Sequence, residues 1–273
     1  MTAQNSTPRI IAVVNQKGGV GKTTTTINLA AALSLKGKKA LIIDIDPQGN
    51  ASTGLGVSLS ARGQTIYEVL MDEASVADAV IKTTVPGLSL LPSHIDLASA
   101  ELEIGAQDGR TSKLRDALRE DINTQPDLEF DYILIDCPPS LNLLTINALT
   151  AAHSVIVPLQ CEFFALEGLS QLLKTVEMAK ANINRSLIIE GVMLTMYDRR
   201  NRLSSQVAAD VRQHLGRAVF DTVIPRNVRI AEAPSFAKPV MMYDPDCAGS
   251  KAYMALAEEI VSRQGRRTTS TNH

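Results

Sequence analysis

The chain has 273 residues, 45% of them apolar, and a formal net charge of −2. That is enough to bury a full core, as one large α/β domain or two small ones. No apolar run approaches the ~18 residues that span a bilayer. The three cysteines, Cys137, Cys161 and Cys247, form no CxxC pair, which argues against a zinc knuckle or a disulfide framework.

The small net charge hides an asymmetry. Residues 1–184 carry an excess of acids, and residues 185–273 carry 13 Lys+Arg against 9 Asp+Glu. Eleven of those thirteen cations are arginine, the residue better suited to phosphate contact. Residues 1–8 are polar and read as a flexible N-terminus without a signal peptide. With so few cysteines, the expected compartment is the reducing cytoplasm.

The first apolar run, Ile10-Ile11-Ala12-Val13-Val14, reads as a buried strand. Lys17-Gly18-Gly19-Val20-Gly21-Lys22-Thr23-Thr24 follows, and a helix is expected over Thr25–Leu35. Strand, glycine-rich loop and helix together form the context of a phosphate-binding loop. Glycines let the backbone wrap a phosphate with its N–H groups pointing inward, and the helix N-terminus adds positive charge. Lys22 can reach the β- and γ-phosphates, and the Thr23 hydroxyl can ligate Mg²⁺. The loop is unusual in having Gln16 where a glycine is common and a second lysine, Lys17, at its start. Lys17 is badly placed to reach phosphates of its own chain. It is therefore expected to reach those of a second copy, with two chains closing face to face around two nucleotides.

The next strand ends in Asp44-Ile45-Asp46, before the turn signal Pro47-Gln48-Gly49-Asn50. Alternate positions put both carboxylates on one side. Ligands of open α/β sheets sit at strand C-termini, so Asp44 and Asp46 are expected near Mg²⁺ or the attacking water. Two short helices are expected in 65–80, a strand over 88–92, helices over 97–104 and 112–121, and a surface loop over 123–129. Tyr132-Ile133-Leu134-Ile135-Asp136 is a buried strand ending in the second nucleotide-site acid, a holder of Mg²⁺. A strand over 154–158, a helix over 166–182 and a strand over 187–195 follow. The strand's end, Met196-Tyr197-Asp198, lies on the ligand side. Arg199-Arg200-Asn201-Arg202 opens a helix over 203–215, and residues 219–225 are expected as the last main strand. Arg226-Asn227-Val228-Arg229 comes after it, where a base pocket can form. A helix over 248–263 and a polar, disordered tail over 264–273 close the chain. The alternation gives a mostly parallel twisted sheet of seven to eight strands with helices on both faces, as one domain over residues 9–263.

Taken together, KGGVGKTTT, IDIDPQGN, IDCPPS, LQCEFFALEGL, LTMYDRRN and VIPRNVRIAEAPSFAKP resemble the ParA/Soj chromosome-partitioning ATPases, a deviant Walker A branch of the P-loop NTPases, and most closely the alphaproteobacterial chromosomal form. The resemblance spans Ile10 to about Ser262. It implies that Lys17 is the lysine that crosses an ATP-sandwich homodimer, and that Lys22, Thr23 and Thr24 hold phosphates and Mg²⁺. It implies that Asp46 positions water and that Asp136 is the Walker B acid. Met196, Asp198, Pro225, Arg226 and Asn227 would border adenine and ribose. Arg200 and Arg229 match positions that bind double-stranded DNA without sequence preference. A ParB-type centromere-binding partner would stimulate hydrolysis, and the protein would be cytoplasmic and nucleoid-associated.

A MinD-like membrane-positioning ATPase is the alternative. It requires an apolar face in a C-terminal amphipathic helix, and residues 264–273 contain no apolar side chain. An iron-protein-like or metal-cluster ATPase would need cysteine motifs that are absent. A small-molecule kinase on the same fold would need an acceptor pocket.

Overall fold

A computed structural model describes residues 7–125, 128–162 and 165–270. Its strands are β1 (Arg9–Val13), β2 (Ala40–Asp44), β3 (Ile81–Lys82), β4 (Leu88–Leu91), β5 (Tyr132–Asp136), β6 (Ser154–Gln160) and β7 (Ile188–Thr195). They form one seven-stranded sheet in the order β3-β4-β2-β5-β1-β6-β7. Every pairing is parallel except β3 with β4. The expectation of a mostly parallel sheet of seven to eight strands is met; the two-residue edge strand β3 is too short to be read from the sequence.

The inner strands are buried on both faces, so they read as apolar runs without alternation. Alternate residues feed separate cores. Ala12, Ile43 and Ile135 belong to one, and Ile11, Ile42 and Leu134 to the other. The first core is covered by α3 (Ile66–Leu70), α5 (Leu97–Gly105), α6 (Lys113–Thr124), α7 (Leu143–Ala151), α8 (Ala165–Asn182) and α9 (Arg202–Leu215), with α4 (Val76–Ala79) beside α6. The second is covered by α1 (Lys22–Leu35), α11 (Val240–Tyr243) and α12 (Ala248–Ser270). Short helices α2 (Asn50–Gly54) and α10 (Val228–Glu232) border the C-terminal edge of the sheet. Helix starts follow local side-chain chemistry. Thr65 and Glu68 form a capping box on α3, and Asn142, Asn201 and Asn227 accept backbone N–H groups at the starts of α7, α9 and α10.

Two expectations need correction. Residues 219–225 do not form a strand. The segment runs beside β7 but makes only two isolated bridges, Val192 with Val219 and Tyr197 with Pro225. The Asp221 and Thr222 amides donate instead to the Glu259 carboxylate of α12, each at 2.9 Å. Arg263 fixes the same carboxylate at 2.7 Å and stacks over the Phe220 ring at 4.4 Å. Pro225 has no N–H to offer a ladder. Helix α12 also continues past Arg263 to Ser270, whereas a polar tail was expected from residue 264; residues 271–273 lie outside the described residues. So do Phe163 and Phe164.

Gly191 in β7 lies under Phe220, and a β-carbon there would sit 2.5–2.9 Å from the ring. Gly191→Ala is expected to lower unfolding free energy by about 1–3 kcal/mol, read by urea denaturation. Combining it with Phe220→Leu should cost less than the two single changes added.

Candidate functional site

Strand register assembles the site. Val13 pairs with Asp136, and Asp136 pairs with Asp44. The loop after β1 and the acids ending β5 and β2 therefore emerge at one edge of the sheet. Asn15 turns the chain out of β1: its amide donates to the Pro158 carbonyl at 2.7 Å, and its oxygen accepts the Lys17 N–H at 3.0 Å. Gly19 and Gly21 have φ of 74° and 90°, the left-handed region that glycine enters without a Cβ clash. The Thr195 hydroxyl at the end of β7 donates to the Val20 carbonyl at 2.9 Å and ties the loop to the sheet.

Lys22 is buried, and its ammonium donates to the Lys17 carbonyl at 3.1 Å. Burial lowers its pKa, opposed by the charges of Asp136 and Asp46. Asp136 is fully buried. Its Oδ1 accepts the Thr26 hydroxyl at 3.0 Å, and its Oδ2 has no hydrogen-bond partner among the described residues. Burial first, and the neighbouring Asp44 charge second, push the Asp136 pKa up against the pull of the Thr23 and Thr26 hydroxyls. An orphaned buried carboxylate oxygen is costly, and a hard divalent cation is a matching partner. Among the described residues no three His, Cys, Asp or Glu side chains form a metal-holding group. A cation here would draw its remaining ligands from phosphate and water, as Mg²⁺ does.

Asp44 and Asp46, read together from the sequence, have different roles. Asp44 is fully buried, and both of its oxygens are engaged. Oδ1 accepts the Asp46 N–H at 3.3 Å, and Oδ2 accepts the Ser52 N–H and hydroxyl at 2.8 and 2.7 Å. Burial raises its pKa too. In this structure the Asp44 carboxylate is engaged in anchoring α2. Asp46 is the acid on the cavity.

Two adjoining cavities make up the site. One, of about 460 Å³, is lined by Gly18, Gly19, Lys22, Thr23 and Asp46, with Asn28 and Lys238. The other, of about 420 Å³, is lined by Met196, Pro225, Arg226, Asn227, Ile230 and Tyr253. Gly21, Thr24, Met196 and Pro234 line both. Met196 has φ 51°, an uncommon value for a non-glycine residue. Its neighbours hold it there: the Tyr197 N–H donates to the Ile224 carbonyl, and the Arg226 N–H to the Tyr197 carbonyl, both at 3.0 Å.

Other expected residues lie away from these cavities. Asp198 lines neither, because its carboxylate takes a two-pronged contact from Arg200 at 3.0 Å. Arg200 is 89% exposed. Arg229 pairs with Glu232 at 2.9 Å and Asp244 at 3.2 Å. Lys17 lines neither cavity; its ammonium lies 3.4 Å from Glu162. The sequence reading missed Asn15, Thr26 and Asn28, which flank the loop, and Tyr253 and Lys238, which come from distant segments and carry no motif of their own.

A family model described as an AAA domain matches residues 8–189. A chromosome partitioning protein ParA of Caulobacter vibrioides is 58% identical over 95% of this chain and 96% of its own length. The chain belongs to the ParA/Soj family of chromosome-partitioning ATPases. The sporulation initiation inhibitor protein Soj of Bacillus subtilis is 51% identical over 93% of this chain and 98% of its own. Among solved structures, a cobyrinic acid a,c-diamide synthase from Mycobacterium smegmatis, with bound ATP analogue and magnesium, aligns with a TM-score of 0.79 at 38% identity, covering 92% of this chain and 93% of that one. The synthase shares the P-loop fold but is less similar in sequence than either ParA/Soj relative. ParA/Soj membership thus favours the partitioning reading over the membrane-positioning and small-molecule alternatives.

The buried acids set a pH dependence. A folded-state carboxyl with a raised pKa holds a proton that the unfolded chain releases, so stability falls as pH rises above the ordinary carboxylate range. Nucleotide-free protein is expected to melt at lower temperature as pH rises from about 5 to about 8. Asp136→Asn should raise Tm by roughly 2–4 °C at about pH 8 and change little at about pH 5, by calorimetry.

Proposed function

We propose that this protein is an Mg²⁺-dependent ATPase whose nucleotide state switches its dimerisation and its hold on DNA, and that it moves a centromere complex during chromosome partitioning. ATP would lie across the two cavities, with its phosphates in the Gly18–Thr24 loop and its base against Met196 and Pro225–Asn227. Lys22, Thr23 and Asp136 would hold the phosphates and Mg²⁺, and the ion would neutralise charge on the terminal phosphate oxygens. Asp46, at the phosphate cavity, would orient the attacking water. Hydrolysis needs positioning and charge neutralisation more than covalent chemistry, and this set of groups supplies both.

The observation that carries the reading is the position of Lys17. It belongs to the loop but does not line its own cavity, and its ammonium points to an exposed acid, Glu162. Such an exposed pair contributes about 0–1 kcal/mol, so the lysine exchanges Glu162 easily for phosphates of a facing copy. A homodimer closed around two ATP molecules would complete each site in trans.

The DNA reading rests on Arg200 and Arg229. Both have carboxylate neighbours in a single chain, which weakens one copy's hold on phosphate. Two copies would double the set on one surface, and each phosphate contact adds salt-dependent, sequence-independent affinity. DNA binding would then report the ATP state, and a ParB-type partner that stimulates hydrolysis would release the dimer from the nucleoid. Among the described residues no helix is long and apolar enough to cross a membrane.

The test is binding to a random-sequence duplex with ATP, ADP or no nucleotide across a salt series. Binding that requires ATP and falls steeply with salt is the expected result; binding indifferent to nucleotide removes the switch. Arg229→Glu should abolish DNA binding while ATP-driven dimerisation persists. In sedimentation with a non-hydrolysable ATP analogue, Lys17→Ala should remain monomeric; a dimer as tight as wild type refutes the in-trans role.

A further inference from the structure

Arg62 is a buried arginine with no ionic partner in contact among the described residues. It is 8% exposed and follows a short 3-10 turn at Leu59–Ala61. Its Nη1 donates to the Ser93 carbonyl at 2.8 Å. Its Nη2 donates to the Thr53 hydroxyl at 2.8 Å and reaches the Val57 and Gly49 carbonyls at 3.1 and 3.4 Å. Its Nε donates to the Val57 carbonyl at 3.3 Å. These acceptors belong to the turn after Asp46, to α2, to the segment following α2, and to Ser93, two residues beyond β4. One planar guanidinium joins all four.

The turn is shaped around this group. Gly49 has φ +60°, and a β-carbon there would lie 2.4 Å from Arg62 Nη1. The Gly49 N–H closes the turn onto the Asp46 carbonyl at 2.8 Å, and the Asp46 carboxylate accepts the Gln48 N–H at 3.0 Å. Thr53, an Arg62 acceptor, itself lines the phosphate cavity. A hydrogen-bond chain continues on the far side. The Ser93 N–H donates to the Ser52 hydroxyl at 3.1 Å, and that hydroxyl donates to buried Asp44. A buried cation and a buried anion are thus linked through Ser93 and Ser52 without touching, and the Asp46 turn is held between them.

We propose that Arg62 is a positioning residue for ATP hydrolysis, clamping the Asp46–Gly49 turn so that the Asp46 carboxylate stays on the phosphate cavity. The inference rests on the ATPase reading and on Asp46 as the group that orients water. Arg62 itself touches neither cavity, so its loss leaves the nucleotide contacts of the loop in place. Hydrolysis is sensitive to misplacement of a water-orienting group by an ångström, whereas ground-state binding through the phosphate loop is not.

The experiment compares steady-state ATP turnover, affinity for a fluorescent ATP analogue, and thermal stability for the full chain and its variants. Arg62→Ala is expected to lower kcat about tenfold or more with KM within about twofold. Methylguanidinium at millimolar concentration should restore part of that turnover, which a loss of global stability would not allow. Gly49→Ala should also lower kcat, and the Arg62→Ala/Gly49→Ala double variant should be no slower than the slower single one. If Arg62→Ala fails to fold, Arg62→Gln removes the guanidinium fork while keeping most of the side-chain volume and should lower kcat more mildly, with KM within about twofold. Wild-type kcat in Arg62→Ala, or in Arg62→Gln where Arg62→Ala does not fold, overturns the proposal while leaving the ATPase reading intact. A wild-type chain that does not hydrolyse ATP overturns both.

Discussion

The site depends on two carboxylates being buried side by side at the edge of a parallel sheet. The β2–β5 register makes Asp44 and Asp136 direct neighbours, and both are fully buried. Like charges in that setting raise each other's pKa and oppose full ionisation. Asp44 is stabilised by three hydrogen bonds and, at a distance, by Arg62. Asp136 keeps one oxygen without a hydrogen-bond partner among the described residues, near the Lys22 ammonium. The folded chain therefore stores an unfavourable interaction that a cation brought in with a triphosphate would relieve. Ligand that binds only the folded form adds stability in proportion to the logarithm of its concentration, so nucleotide is part of the energetics of the fold.

The cavity beside Met196 and Pro225 comes from a strand that fails to form. Glu259 of α12 takes the Asp221 and Thr222 amides, Arg263 holds the Val219 carbonyl and covers the Phe220 ring, and Pro225 lacks a donor, so no eighth strand is added beyond β7. The chain then turns across the strand ends and brings Pro225, Arg226 and Asn227 to the cavity wall. A continuous ladder would have kept these residues along a sheet edge. The apolar run was legible in the sequence. Its outcome was not, because the competing hydrogen-bond acceptor lies some forty positions further on.

The same distinction explains what else the sequence revealed. The glycine-rich loop, the strand ends at Asp44 and Asp136 and most helices were legible because glycine pattern, apolar runs and caps act within a few residues. Asp-x-Asp at a strand end predicts a shared side, and the sequence cannot show that Ser52 folds back onto one of the two acids. Thr26, Asn28 and Tyr253 were missed because each becomes a site residue only when helices pack around the loop. The run-on of α12 beyond Arg263 was missed because a polar composition marks solvent exposure and carries no information on where a helix ends.

The charged contacts divide by burial, and that division separates the fixed parts of the machine from the exchangeable ones. Arg62, Asp44 and Asp136 sit in buried networks, where removing one partner leaves others unsatisfied at a cost of about 1–3 kcal/mol each. Lys17 with Glu162, Arg200 with Asp198, and Arg229 with Glu232 and Asp244 are exposed pairs, each worth about 0–1 kcal/mol. A phosphate can displace the exposed acids at little cost, but it cannot displace the buried ones. The groups assigned to a second chain and to DNA are therefore those held most loosely, and the groups assigned to chemistry are those held most firmly. A nucleotide switch needs that arrangement: its outer contacts must change partners on each cycle around a centre that does not move.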